Sequence, residues 1–236
     1  MTTTRGRLIV FEAPEGAGKT TQLRRLGEWL TQHGVPHTTV REPGGTPLGN
    51  AVRGIVLAEP GREISARAEA LLFMASRAEL IERVVRPALA RGEIVLADRF
   101  FLSTYAYQVH GRGLPFDEVR TANALATGGL VPDLTLLLSL SGAVRHSRAA
   151  ARGAADRIEE AGDDFHARVE AAFAHFLAPE WQAAHPECGP VVAVDSEGDE
   201  AAVFARIMPV LAARWPQTFA SAASAASAAP AARPRS

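Results

Sequence analysis

One cysteine, Cys188, stands in a chain of 236 residues. A disulfide within the chain and a cysteine-rich metal site are both excluded on that count. A lone thiol of this kind reads as a small, partly buried apolar residue. Aromatic residues are also scarce, at 6%. An excess of charge is missing too: the formal net charge is −1. That argues against a nucleic-acid partner bound by wholesale phosphate neutralisation, so any anion site must come from local clusters of Arg and Lys. No apolar run approaches the ~20 residues that span a bilayer, and the N-terminus lacks the apolar core of a signal peptide. The expectation is a cytoplasmic protein with no membrane partner.

What is present is a hydrophobic content of 47%, enough for a substantial core. The length suits one large α/β domain, or two small ones. Five β-type runs recur, at 7–12, 37–42, 93–99, 134–141 and 190–196, with helical stretches between them. Several are apolar on successive residues, as strands covered on both faces are. Alternating β and α predicts a five-stranded parallel sheet flanked by helices, with ligands at the carboxyl ends of the strands. Residues 63–91 read as one long helix, interrupted late by Pro87 and stopped by Gly92. From Gln217 the chain turns to Ser-Ala-Ala repeats and prolines with little to bury. One folded domain over 1–215 and a disordered tail over 216–236 are expected.

The most informative stretch is Ala13-Pro14-Glu15-Gly16-Ala17-Gly18-Lys19-Thr20, which follows the first apolar run and leads into a helical pattern from Thr21. This is the layout of a phosphate-binding loop. Glycines let backbone N–H groups curl around phosphate oxygens, Lys19 adds charge, and Thr20 offers a hydroxyl to Mg²⁺. Ala13 stands where the usual pattern begins with Gly; it fits if that residue keeps φ negative.

Asp98 closes the apolar run 94–98, where a carboxylate orders Mg²⁺ in enzymes with such a loop. Arg99 follows and can grip a second phosphate, or form a surface ion pair. Phe73 and Arg77, four apart, share a helix face. Together they can hold a planar base, although a Phe on an Ala-rich helix is more often core. Arg145, Arg148, Arg152 and Arg157 precede acidic residues at 159–164. Such a cluster is usually a solvated surface; on a movable lid over about 145–162 it could close on a transferring phosphoryl group. The turn Glu42-Pro43-Gly44-Gly45-Thr46 lies at the ligand-facing edge and can be punctuation or a backbone contact to substrate.

Taken in order, these pieces closely resemble the bacterial thymidylate kinases over about residues 7–215. The resemblance is carried by the residues at 11–21, Arg-Glu-Pro-Gly-Gly-Thr at 41–46, Leu-Phe-Met-Ala-Ser-Arg at 72–77, Asp-Arg-Phe at 98–100, Ser-Thr-Tyr-Ala-Tyr-Gln at 103–108 and Asp-Arg-Ile-Glu at 156–159. It implies transfer of the γ-phosphoryl group of MgATP to dTMP. Ala13 through Thr21 would hold ATP, with Thr20, Asp98 (through water) and Glu15 near Mg²⁺. Phe73 would stack on thymine and Arg77 would bond its O4. Glu15 would meet the 3′-hydroxyl, and Arg53 and Arg99 the acceptor phosphate. Tyr107 would crowd the 2′ position, and Thr104 and Gln108 would line the base pocket beside Glu42 and Pro43. Lys19, Arg99, Arg148, Arg152 and Arg157 would be catalytic. Some family members carry Arg inside the loop, where this chain has Gly16; Ala150 also replaces a common lid Arg. A homodimer is the family's usual state. The rivals are another small-molecule kinase of the same loop class (guanylate, cytidylate or shikimate) and, from a different class, a nucleotide-operated binding switch without kinase activity.

Overall fold

The computed structural model describes residues 5–57, 63–139, 157–158 and 160–219. Five strands form one parallel sheet: β1 (Arg7–Glu12), β2 (His37–Arg41), β3 (Ile94–Asp98), β4 (Leu134–Ser139) and β5 (Val191–Asp195). Their order is β2-β3-β1-β4-β5. β1 is the central strand, pairing Phe11 with Asp98 on one side and with Leu136 on the other. β1 fills its expected run, and each of the other four strands ends one or two residues inside its own.

Because neighbouring strand residues point to opposite faces, β1 serves two cores at once. Leu8 and Val10 join one buried cluster, Ile9 and Phe11 the other. Helix α1 (Lys19–Gln32) covers the second face. It buries Leu23, Leu26 and Leu30, a helical stripe in which each leucine contributes roughly 1.5–3 kcal/mol of transfer free energy. Sharing that face is a long helix near the C-terminus, Glu200–Arg214, capped by Asp199, whose Oδ1 accepts from Ala202 N at 2.8 Å.

On the first face lie α2 (Pro47–Val56) and α3 (Ala66–Leu80). The expected single helix over 63–91 is a continuous path with a local change of winding. α3 passes into a π-helical turn, Ile81–Val85, then α4 (Arg86–Ala90). Arg86 N bonds Ile81 O, one residue further back than in an α-helix. The wider turn places Pro87 at the start of a fresh helical segment, where a missing N–H costs little. The interruption predicted at Pro87 is therefore displaced upstream.

Beyond β3 come α5 (Phe101–Thr104), a second π-helical segment (Tyr105–Gly111) and α6 (Phe116–Thr127). After β4 follow α7 (Asp163–His175) and α8 (Pro179–Ala184); the helix Glu200–Arg214 is α9. Cys188 is fully rather than partly buried, and burial pushes its thiol well above the ordinary range. At the C-terminus, Trp215 ends α9 and Phe219 is fully buried, stacking on Trp29 at 5.3 Å. Arg7 Nη1 donates to Thr218 Oγ1 at 2.8 Å. Packed chain thus extends four residues past the expected boundary at 215.

A candidate nucleotide-transfer cleft

β1 delivers the loop 13–18 to the carboxyl edge of the sheet, and the loop opens directly into α1. Gly16 and Gly18 both have φ 81°, a backbone that a Cβ would strain. Among the described residues Arg99 is the sole non-glycine with positive φ, so Ala13 keeps the negative φ its side chain requires.

Lys19 is the chain's only lysine. Its Nζ donates to Asp98 Oδ1, while Thr20 Oγ1 donates to Asp98 Oδ2 at 3.1 Å. The three residues anticipated around nucleotide phosphate and Mg²⁺ are therefore gathered, although 78 or 79 positions separate them in the chain. Burial, then the neighbouring Arg99, lower the Lys19 pKa to about 8 against the pull of Asp98. Asp98 is held below its ordinary value: burial opposes the charge, but Lys19, Arg99 and Thr20 outweigh it.

Arg99 has φ 74°, a conformation costing roughly 1–2 kcal/mol in a residue with a Cβ. Glu12 offsets that strain. This fully buried carboxylate accepts from Phe100 N at 2.8 Å, Ser103 N at 3.0 Å and Ser103 Oγ at 2.5 Å. The turn after β3 is thereby locked, and Arg99 Nη1 reaches Ser103 Oγ and Ala13 O at 2.9 and 3.2 Å. Its guanidinium lies 5.2 Å from the Tyr107 ring centroid. Burial works against the Arg99 charge, yet Tyr107, Glu15 and Asp98 raise its pKa further. Tyr107 in turn donates to Glu15 Oε1 at 3.3 Å.

One cleft is lined by Glu15, Lys19, Thr20 and Asp98 together with Glu42, Pro43, Arg53, Phe73, Arg77, Arg99, Thr104, Tyr107 and Gln108. Arg41, Leu57, Ser103 and Ile158 line it as well and were not anticipated as site residues. Local geometry explains several of these placements. Thr104, Tyr107 and Gln108 fall at i, i+3 and i+4 along one helical path. Thr46 caps α2 by accepting from Gly49 N at 2.9 Å, and Ser76 Oγ accepts from Gly44 N at 3.2 Å. The glycine turn 42–46 is thus tied to α2 and α3, and Arg53 Nη1 donates to Pro43 O at 3.2 Å.

Arg77 is buried with every N–H directed at the protein: Nε and Nη2 to Glu42 Oε2, Nη2 also to Phe100 O, Nη1 to Thr104 Oγ1 and Asn123 Oδ1. Arg157 does not join the cleft. Its Nη2 donates to Glu69 Oε2 and its Nε to Val56 O at 3.0 Å. Arg148 and Arg152 lie outside the described residues, as do most of the expected lid and the tail from 220 on. Of the predicted loop residues, Ala13, Pro14, Gly16, Ala17, Gly18 and Thr21 form the loop and first helical turn beside the cleft rather than its lining. Sequence reading also missed Glu12, Glu69 and Asn123, all buried polar groups whose partners lie dozens of positions away.

The donor chemistry suits Mg²⁺. A hydroxyl and carboxylates offer hard oxygen ligands, and among the described residues there is no cluster of three or more His, Cys, Asp or Glu that forms a protein cage. Such a cation is typically shared with substrate phosphates and water. Among the described residues no helix is long and apolar enough to cross a membrane.

Comparison with known proteins agrees with this geometry. The family model for thymidylate kinase matches residues 11–184. A thymidylate kinase of Deinococcus radiodurans is 53% identical over 168 residues, 71% of this chain and 81% of that protein. One from Cutibacterium acnes is 47% identical over 182 residues, covering 77% and 85%. A solved thymidylate kinase structure from Ehrlichia chaffeensis superposes with a TM-score of 0.68 at 28% identity, covering 88% of this chain and 98% of that one. The chain belongs to the thymidylate kinase family.

Proposed function

We propose that this enzyme transfers the γ-phosphoryl group of MgATP to the 5′-phosphate of dTMP, giving dTDP and ADP and so feeding dTTP synthesis. The observation that carries the reading is the convergence in one cleft of a phosphate-loop lysine, a carboxylate and hydroxyl pair, four arginines and the ring of Phe73.

The attacking oxygen belongs to an anionic phosphate, so little proton abstraction is required. Rate then comes from alignment and from cancelling charge as the phosphoryl group moves. The loop amides and Lys19 hold the donor phosphates. Arg99 and Arg53 hold the acceptor phosphate, and the preset φ of Arg99 means that its guanidinium is aimed before substrate arrives. Phe73 stacks on the base. Arg77 reaches O4 by redirecting an Nη1–H group now given to Thr104 or Asn123. Tyr107 fills the 2′ side of the sugar beside Glu15. Arg148 and Arg152 stabilise charge on the transferring group. Mg²⁺, where bound, would be held by Thr20, by Asp98 through water and near Glu15, and it supplies charge neutralisation at the phosphates.

The working form is a cytoplasmic homodimer. Supporting the dimer, Leu48, Leu71 and Leu125 are 49%, 63% and 86% exposed on α2, α3 and α6, helices that pack in a row. Contiguous apolar patches mark interfaces, and these three side chains stand on neighbouring helices.

Coupled ADP-release kinetics with dTMP, dUMP, dGMP and dCMP tests the function. Fast turnover with dTMP and slow turnover with the purine and cytosine nucleotides is expected. ATP binding with no monophosphate accepted would leave the binding-switch reading instead.

A further inference from the structure

Glu69 has no place in the phosphate chemistry, yet it is 1% exposed and takes hydrogen bonds from three side chains. It sits in the first turn of α3, one turn before Phe73. Oε1 accepts from Gln108 Nε2 at 3.0 Å and from Arg112 Nε at 3.2 Å. Oε2 accepts from Arg112 Nη2 at 3.1 Å and from Arg157 Nη2. Arg112 is itself fixed, with its guanidinium 4.6 Å from the Phe165 ring centroid. Burial opposes the Glu69 charge, but hydrogen bonds from Arg112, Arg157 and Gln108 prevail and hold the carboxyl below its ordinary range.

An ionised carboxylate only accepts hydrogen bonds. The amide of Gln108 therefore has one permitted orientation: Nε2 toward Glu69, and Oε1 turned away from it. Gln108 lines the cleft, and its Oε1 makes no hydrogen bond to any described residue. The cleft is thus offered a hydrogen-bond acceptor by a residue type that in isolation offers either polarity.

We propose that Glu69 is a positioning residue for base specificity: by fixing the Gln108 amide it presents an acceptor to the N3–H of thymine and denies a donor to the unprotonated N3 of cytosine. This rests on the dTMP reading of the cleft. A site with a buried polar group of set polarity discriminates because the wrong base leaves that group unpaired. Arg112 and Arg157 contribute by donating to the carboxylate and holding it ionised.

Glu69→Gln tests the assignment, and its outcome has a defined polarity. Arg112 Nη2 and Arg157 Nη2 both donate to Oε2 and keep the new carbonyl there; the new NH₂ replaces Oε1, gives up the longer bond from Arg112 Nε and faces Gln108. Gln108 then turns its own carbonyl toward position 69 and shows an N–H to the cleft. The ratio of kcat/KM for dTMP to that for dCMP should fall about a hundredfold, roughly tenfold from each substrate. Glu69→Asp keeps an acceptor-only group and should hold the ratio within about threefold. Arg112→Lys weakens the forked contact to Glu69 and lowers thermal stability, but keeps a cation beside the carboxylate and should also hold the ratio. If Glu69→Gln does not fold, Glu69→Asp against Glu69→Asn carries the same contrast of acceptor with amide. An unchanged ratio in the amide variant, or an equal fall in Arg112→Lys, overturns the assignment. Wild-type enzyme that ignores dTMP altogether would overturn the proposed function instead.

Discussion

Arg77 and Glu42 form a buried pair in which Nε and Nη2 of the guanidinium both donate to one carboxylate oxygen, Glu42 Oε2, while Oε1 has no partner among the described residues. Side-chain exposure is 3% and 6%. Burial raises the Glu42 pKa, and Arg77 opposes the rise. The relationship is asymmetric in its consequences. Removing the arginine leaves a carboxylate buried without compensation, which costs about 3–5 kcal/mol, whereas removing both charges costs far less.

Arg77→Met should therefore lower unfolding free energy in urea by that amount, and Arg77→Met with Glu42→Gln should recover a good part of it. Equal destabilisation by the single and double variants would show that Arg77 matters through packing rather than through its charge. Both variants should lose dTMP turnover, because both lack the group assigned to O4.

Lys19 sets the pH response. Burial and Arg99 bring its pKa down to about 8, so the ammonium form persists below that pH and is lost above it. The charged form binds phosphate. kcat/KM for MgATP, which reports the free enzyme, should fall as pH rises through about 8. Bound phosphates favour the ammonium, so the corresponding limb in kcat should lie at higher pH. A flat kcat/KM profile to pH 9 would remove Lys19 from the role. Lys19→Ala should abolish most turnover.

Because the chain has no second lysine, amine chemistry gives a separate reading. An acylating reagent at pH 8 should modify one side chain and the N-terminal amine, inactivating the enzyme in step with the Lys19 adduct. MgATP should protect. Full activity in protein acylated at Lys19 by mass spectrometry would contradict the loop assignment.

Phe219 is packed into the core beyond the expected boundary at 215. Phe219→Ala removes a fully buried ring that stacks on Trp29 and should cost about 3–5 kcal/mol in thermal or urea unfolding. Deleting 220–236 should leave both stability and turnover unchanged. A large loss from that deletion would assign a function to the tail.

Leu71→Glu together with Leu125→Glu should convert a dimer to a monomer in light scattering, since the two leucines are the most exposed large apolar side chains among the described residues. A wild-type monomer, or a dimer indifferent to both charges, would place the interface elsewhere.

How much of this was legible beforehand follows the range of the interactions. The phosphate loop is a local device, strand then glycine turn then helix, and its pattern survives in one short stretch. The strands were readable from their apolar runs; their ends shifted by a residue or two because backbone pairing, not side-chain type, decides where a ladder stops. Pro87 was read as a break because its effect upstream, a π-helical turn beginning at Ile81, depends on winding rather than composition. Arg157 stood in a basic cluster and was assigned to the phosphates, but Glu69 claims it across 88 positions. Glu12, Glu69 and Asn123 carried no signal, because a buried polar residue announces itself only through partners that the fold supplies. Phe219 was hidden by the Ala- and Ser-rich composition around it.

The most direct measurement is a crystal structure of the enzyme with dTMP and ADP. The account predicts the thymine ring against Phe73, N3 within hydrogen-bond distance of Gln108 Oε1, and the 5′-phosphate on Arg99 and Arg53 facing ADP in the 13–20 loop. A thymine ring seated away from Phe73, or a 5′-phosphate that meets neither arginine, would contradict it.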